Sequence, residues 1–423
     1  MSKITEIINF NPQRPLKKGL TSSFIEMAAL ETNSRNISTI KKREFKGGGS
    51  KFKNGDVLFA RITPCLENGK TAKVSGLNEG EIAFGSTEFI VMSAKEPDFD
   101  EHFIYYLARL PEFRSYAQGR MEGTSGRQRV SWQSLSEFEI NFPVKETRKK
   151  IGETLNRLDK KIALNTKTNE TLEKLAQALF KSWFVDFDPV KAKAKLKQEG
   201  GNLDSIAKEL GMSKEILELF PDEFEESELG LIPKGWEVKP LDEIAHYQNG
   251  LALQKFRPED DEASLPVLKI AQLKKGFADG KERARATIKP ECIVNNGDIV
   301  FSWSGSLMVD VWCGDKVALN QHLFKVTSKD YPKWFYYNWT KHHLKEFQQI
   351  AADKAVTMGH IKREHLSQAK CIIPNKNIGK LLNNLLEKQI QQRIENITLE
   401  KTRDTLLPKL LSGEIQINNK EYG

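Results

Sequence analysis

Apolar residues in the first 145 positions fall in short runs broken by Gly, Asn and Pro. Examples are Asp56-Val57-Leu58-Phe59-Ala60-Arg61-Ile62 and Thr87-Glu88-Phe89-Ile90-Val91-Met92. Runs of this length and composition predict strands, with Asn54-Gly55 and Asn68-Gly69 as turns. Phe103 to Arg109 reads as a short helix, so the segment is mixed α/β. From Ile151 the period changes. Ile151, Leu155, Leu158, Ile162, Asn165, Asn169, Leu172, Ala176, Leu179 and Trp183 alternate steps of four and three. This is a coiled-coil seam and predicts a helix of about 30–35 residues, about 45–50 Å long. Two asparagines in mid-seam are costly among apolar neighbours, a device that fixes register or partner orientation. The plainer alternative is a helix lying on a protein surface. Asp186-Phe187-Asp188-Pro189 predicts its stop, and a connector with Lys191-Ala192-Lys193-Ala194-Lys195 and Gly200-Gly201 follows. Within the connector Leu203 to Leu210 reads as a short helix, and the acidic run beyond it as disordered.

At about Glu237 the mixed pattern reopens and runs to Pro374. A second long helix is predicted from about Ile378 to Leu406, with a less regular seam of Leu382, Leu385, Leu386, Ile390, Ile394 and Ile397, then Leu406 and Leu410. The second half repeats the first in order. Asn54-Gly55-Asp56-Val57-Leu58-Phe59 recurs as Asn296-Gly297-Asp298-Ile299-Val300-Phe301, and Phe24 to Leu30 matches Val267 to Leu273. Phe103-Ile104-Tyr105-Tyr106 matches Trp334-Phe335-Tyr336-Tyr337, Ile140 to Pro143 matches Cys371 to Pro374, and Thr171 to Lys174 matches Thr398 to Lys401. A period of roughly 230 residues is far too long for a solenoid, so each copy is a domain plus an attachment. Two copies related by a pseudo-twofold axis require the long helices to run antiparallel. The expected order is a first domain (1–145), a long helix (146–190), a connector (191–235), a second domain (236–375), a second long helix (376–415) and a tail (416–423). Trp183, Phe184, Leu407, Leu410 and Leu411 exceed what one two-helix contact can cover. They are therefore read as a partner surface, the alternative being packing against the chain's own domains.

Composition narrows the class. The chain has 423 residues with 29% charged and 39% hydrophobic, enough for two or three cores in a soluble globular protein. No apolar run approaches the ~20 residues that span a bilayer. Met1-Ser2-Lys3-Ile4-Thr5-Glu6 lacks the apolar stretch of a signal peptide, and the four cysteines have neither paired nor zinc-type spacing. These features predict a cytoplasmic protein. Net charge is +8 with pI ≈ 9.0. Glu215 to Gly230 holds no lysine or arginine, so positive charge is denser elsewhere.

Little in the chain points to catalytic chemistry. Gly69-Lys70-Thr71 ends like a phosphate-binding loop, but Pro64 stands where that loop needs glycine. Asp222, Glu237 and Lys239 match a loose nuclease spacing, yet Asp222 lies in the acidic run. No HExxH arrangement exists among the seven histidines. No metal ligands and no catalytic residues are assigned. Loops rich in basic and hydrogen-bonding residues are the chemical feature left. In the first domain they supply Arg61, Thr63, Lys70, Ser86, Thr87, Arg120, Thr124, Ser125, Arg127, Gln128 and Arg129. Arg and Gln suit bidentate contacts to base edges, while Ser, Thr and glycine amides suit phosphates. The second domain changes the contents of the frame: Ser302-Trp303-Ser304-Gly305 for Ala60-Arg61-Ile62-Thr63, and Asn320-Gln321-His322-Leu323 for Gly85-Ser86-Thr87-Glu88. Asp353 to His360 likewise replaces Glu122 to Arg129. Its candidate contacts are Ser302, Trp303, Gln321, His322, Lys354, Thr357, His360 and Lys362. A shared scaffold with divergent loops is what two readers of different sequences require.

At these residues the chain resembles the specificity subunit of type I restriction-modification systems. Leu172 to Val190 is similar to the family's central repeat, Leu231-Ile232-Pro233-Lys234-Gly235-Trp236 to the entry of its second target-recognition domain, and Thr405 to Ile415 to its distal repeat. Arg61 to Lys70 and Gly123-Thr124-Ser125-Gly126-Arg127-Gln128-Arg129 are similar to one type of recognition domain. The resemblance implies a non-catalytic chain in which two recognition domains read the halves of a split, asymmetric double-stranded DNA target. It also implies that the helices set the spacing and dock two methyltransferase subunits, with restriction subunits added. S-adenosylmethionine, ATP and magnesium would belong to those partners, and none to this chain. A self-sufficient nuclease using Asp222, Glu237 and Lys239, and a coiled-coil scaffold without a DNA role, are the competing readings.

Overall fold

The computed structural model describes residues 2–32, 34–124, 126–353, 359–375 and 378–417. The chain divides into two units, one made of residues 1–163 with 398–423 and the other of residues 164–397.

In the first unit, Val57–Ala60 shows how the sheets are placed, because all four of its residues are buried. Side chains alternate between faces along a strand. Val57 and Phe59 enter one core with Ile8, Ile104 and Phe113, while Leu58 enters another with Ile25, Phe52 and Val91. This strand therefore reads as a continuous apolar run. Its antiparallel sheet has the order Ile8–Phe10, Phe89–Ala94, Val57–Ala60, Thr71–Lys73. The second sheet has the order Lys41–Glu44, Thr21–Ile25, Ala83–Gly85, Ser50–Phe52, and its central pair is parallel. Ser2–Lys3 pairs separately with Glu139–Ile140. The helix Phe103–Arg109 buries Phe103 through Ala108.

The second unit repeats this topology strand for strand. One sheet runs His246–Asn249, Leu323–Thr327, Ile299–Ser302, Met308–Val311. The other runs Arg283–Arg285, Ser264–Leu268, Val317–Leu319, Ile293–Val294, again with a parallel central pair. Glu237–Pro240 pairs with Lys370–Ile373. Ile299 and Phe301 face a core with Tyr247 and Trp334, and Val300 faces another with Leu268 and Trp312. The duplication read from short matches is thus a duplication of mixed α/β fold.

The first long helix is Lys145–Phe180, 36 residues. It continues into a π-helical segment, Lys181–Val185, before Phe187 at φ 57° breaks it. The second is Lys380–Ser412, 33 residues. It runs past the expected end near Leu406 and through Pro408. An interior proline costs about 3 kcal/mol, which burial of Leu407, Leu410 and Leu411 at about 1.5–3 kcal/mol each offsets. The helices pair antiparallel. In the second unit Asn165 Nδ2 donates to Glu395 Oε2 at 2.8 Å and Asn396 Oδ1 at 2.9 Å, and Asn169 Nδ2 to the Gln389 carbonyl at 3.4 Å. In the first, Arg403 Nη1 donates to Asp159 Oδ1 at 2.7 Å.

Two expectations are corrected. The five residues read as a docking surface are all buried inside the chain's own units. Trp183 and Phe184 lie in the second unit's core, with Phe220 at 5.5 Å from Trp183 and Trp334 at 5.5 Å from Phe184. Leu407, Leu410 and Leu411 pack in the first unit's core with Ile4, Phe103, Ile151 and Leu155. The recognition domains absorb the apolar surplus of the helix ends. The connector, in turn, is folded. It holds helices Asp188–Glu199, Leu203–Glu209 and Lys214–Glu218, and its acidic run forms the hairpin Phe224–Ser227 with Gly230–Pro233. Lysines brought from outside the run allow this: Lys197 and Lys234 each reach a Glu223 oxygen at 2.6 Å.

Candidate nucleic-acid interface

In the first copy three loops meet on backbone hydrogen bonds. Arg61 N donates to the Glu88 carbonyl at 3.0 Å, Val130 N to the Arg61 carbonyl at 3.0 Å, and Thr63 N to the Gln128 carbonyl at 3.0 Å. The second copy has the same rungs. Trp303 N donates to the His322 carbonyl at 3.4 Å, Ile361 N to the Trp303 carbonyl at 3.0 Å, and Gly305 N to the Gly359 carbonyl at 2.9 Å. The bridge Ile62–Arg129 corresponds to Ser304–His360. Equivalent positions are therefore 61 and 303, 88 and 322, 129 and 360. One expected register shifts by a residue: Ala60 pairs with Phe89 and Ser302 with Leu323, so His322 stands for Glu88 rather than for Thr87. Main-chain rungs need no particular side chain, which leaves the side chains at these positions free to differ.

They differ in kind. In the first copy Arg129 Nε lies 3.0 Å from both Glu88 carboxylate oxygens, Nη2 donates to Oε1 at 2.8 Å, and Nη1 to the Arg127 carbonyl at 3.1 Å. The carboxylate raises the Arg129 pKa above its ordinary value. Gln128 N donates to Thr63 Oγ1 at 3.1 Å. Thr63 is buried, so it braces the loop from inside. Lys70 Nζ donates to the Met27 carbonyl at 3.0 Å. Ser86 Oγ accepts from Glu88 N at 3.1 Å, and Thr87 is exposed. Arg120 lies over the Tyr116 ring at 3.4 Å. Thr124 and Arg127 are exposed and joined by Arg127 N to the Thr124 carbonyl at 3.0 Å. Ser125 lies outside the described residues.

In the second copy aromatic rings take over. Trp303 lies 6.0 Å from His322, 5.8 Å from Phe324 and 6.2 Å from His360. Ser304 Oγ and His322 Nδ1 are 3.0 Å apart, and Gln321 Nε2 and His322 Nε2 3.4 Å. Ser302 is corrected: it is fully buried, with its hydroxyl on the Ser304 carbonyl at 3.1 Å, and offers no surface contact. His360 and Lys362 are exposed, Lys362 with Glu364 at 3.4 Å. Lys354 and Thr357 lie outside the described residues. Among the described residues, buried N–H groups without an acceptor occur at the same rung in both copies, Arg61 Nε and Trp303 Nε1.

The triad Asp222, Glu237 and Lys239 is spent on ion pairs. Asp222 meets Lys197 at 3.3 Å, and Glu237 meets Lys239 at 3.1 Å. Among the described residues no group of three or more His, Cys, Asp or Glu could hold a metal ion, and no helix is long and apolar enough to cross a membrane. Sequence reasoning missed Glu88 as a site residue, because a carboxylate 41 positions from Arg129 carries no spacing signal.

A duplicated α/β fold that presents one loop frame with two sets of side chains defines a paired-reader protein. The chain belongs to the type I restriction modification DNA specificity domain family, whose model matches residues 1–174 and 233–402. It is 28% identical to the specificity subunit of the type I restriction enzyme HindI of Haemophilus influenzae, over 90% of each chain. It is 29% identical to the MjaIX specificity subunit of Methanocaldococcus jannaschii, over 74% of this chain and 69% of that one. Its fold is similar to the crystal structure of the S subunit of a type I restriction-modification system from M. genitalium, with TM-score 0.53 and 14% identity over 97% and 95% of the two chains.

Proposed function

We propose that this chain is the non-catalytic specificity subunit of a type I restriction-modification complex, and that it reads a bipartite, asymmetric double-stranded DNA target. The first copy (1–145) reads one half and the second (236–375) the other. The observation that carries the reading is the loop frame, the same backbone rungs bearing an arginine–carboxylate pair in one copy and a cluster of aromatic rings in the other. Two methyltransferase subunits dock on the chain and restriction subunits join them, through surface other than the five buried residues corrected above. S-adenosylmethionine, ATP and magnesium act in those partners, and the assembly works in the cytoplasm. The methyltransferase flips an adenine out of the duplex to reach it.

Mapping methylated adenines in a genome that carries the system tests this directly. A split motif of two unlike half-sequences is expected, and one continuous motif would refute it. Native mass spectrometry of the co-expressed complex should give two methyltransferase subunits per chain, and a stable one-to-one complex would remove that part. For the nuclease alternative, purified chain with DNA and magnesium should leave the duplex intact. Cleavage that disappears in Asp222→Ala would overturn the non-catalytic assignment.

A further inference from the structure

We infer that Arg129 reads a guanine in the half-site of the first copy, and that Glu88 is the residue that positions it. This rests on the DNA-reading function proposed above. A guanidinium carries five N–H donors in a fixed plane. Glu88 occupies the side edge formed by Nε and Nη2, and the Arg127 carbonyl takes one hydrogen of Nη1. Two hydrogens are left, one on Nη1 and one on Nη2, the two nitrogens that form the end edge of the guanidinium. That pair of donors matches the O6 and N7 acceptors of guanine in the major groove, the geometry by which arginine recognises that base. Among the described residues no further acceptor meets Nη1 or Nη2, and the side chain is 41% exposed.

The carboxylate does two things for the reading. It removes the rotamer freedom that a long exposed arginine would otherwise lose on binding. It also neutralises a general attraction to phosphate, so the guanidinium discriminates by geometry more than by charge. Arg127, two residues earlier, is exposed and among the described residues pairs with no carboxylate, which suits a phosphate contact instead. At the equivalent positions the second copy has His322 and His360, so this reader belongs to one half-site only.

The test uses the full assembly, with adenine methylation mapped in cells and duplex binding measured on specific and random DNA. The wild-type motif should contain a G·C pair in the first copy's half. Arg129→Ala should relax that position alone, with discrimination falling about 5- to 150-fold, the value of one good bidentate contact. Arg129→Lys should relax it too, because a point charge cannot replace the fork. Glu88→Gln, which keeps the size and loses the charge, should relax the same position while affinity for random DNA holds or rises. An unchanged second half-site in each variant shows that the chain is folded. If Arg129→Ala abolishes all methylation, Glu88→Gln decides: a relaxed motif supports the pair, and an unaltered motif overturns it. Equal loss on specific and random DNA would make Arg129 a phosphate contact and overturn the inference, while leaving a split motif and the parent reading intact. Absence of any split motif from the wild-type assembly would bring down both.

Discussion

Single residues in the first unit already set a dependence on acidity. His102 lies where the helix Phe103–Arg109 begins. Its Nδ1 is 2.7 Å from Lys73 Nζ and 3.3 Å from Arg35 Nη2, and its Nε2 is 3.3 Å from Asn156 Nδ2. Burial, then the charges of Lys73 and Arg35, push its pKa down to about 4, against a weaker opposing pull from Glu101. The unfolded chain takes up this proton below about 6.5 and the folded chain only near 4. Stability therefore falls as pH drops through that window. Lys73 shifts in the same sense, pushed down to about 8 by burial although Glu101 pairs with it. Thermal unfolding of the full chain from pH 7 to 4.5 should show wild type losing more stability than His102→Asn. Parallel curves above pH 5 would contradict this. Little of the cluster is visible in the sequence, since Arg35, Lys73, Glu101 and Asn156 share no spacing. The loop positions, by contrast, were legible because they stand beside recurring strand residues. The one-residue shift at His322 arose because matching loop by composition carries no register, which the strand pairing supplies.

At the scale of elements, the long helices were the most legible feature, since a 4,3 seam admits few other structures. Ile151, Leu155, Asn165, Ala176 and Trp183 are all buried as that spacing requires. Periodicity marks which positions are covered but not what covers them, and so five buried residues were read as a docking surface. It was equally silent on Asp159 and Arg403, the polar tie between the helices in the first unit. Arg403 is 3% exposed and Asp159 6%, and Tyr106 adds a hydroxyl at 2.7 Å from Asp159 Oδ2. The carboxylates of Asp404 and Asp159 hold the guanidinium charged despite its burial. Removing one partner of a buried pair strands the other charge, which costs about 3–5 kcal/mol. Arg403→Ala should lower chain stability by that order in denaturant unfolding, and adding Asp159→Leu should recover much of the loss. Additive losses in the double variant would show that the pair is not coupled.

For the whole molecule, the duplication predicts modular exchange. Replacing residues 1–145 with the corresponding domain of a relative should change one half of the methylated motif and leave the other. A change in both halves would show that the copies do not read independently. The exchange must still offer an apolar face to Ile151, Leu155, Leu407, Leu410 and Leu411, which share that domain's core. Here lies a consequence for biosynthesis. The unit at residues 164–397 is one uninterrupted stretch, whereas the unit that opens the chain recruits residues 398 onward to close its core. On the ribosome the second copy has all of its parts while the first still waits for about the last 25 residues to emerge, a long-range closure of the kind that folds late. A released chain truncated after Ile397 should therefore be protease-resistant in its second copy and open in its first, so the domain that is translated first is the one completed last.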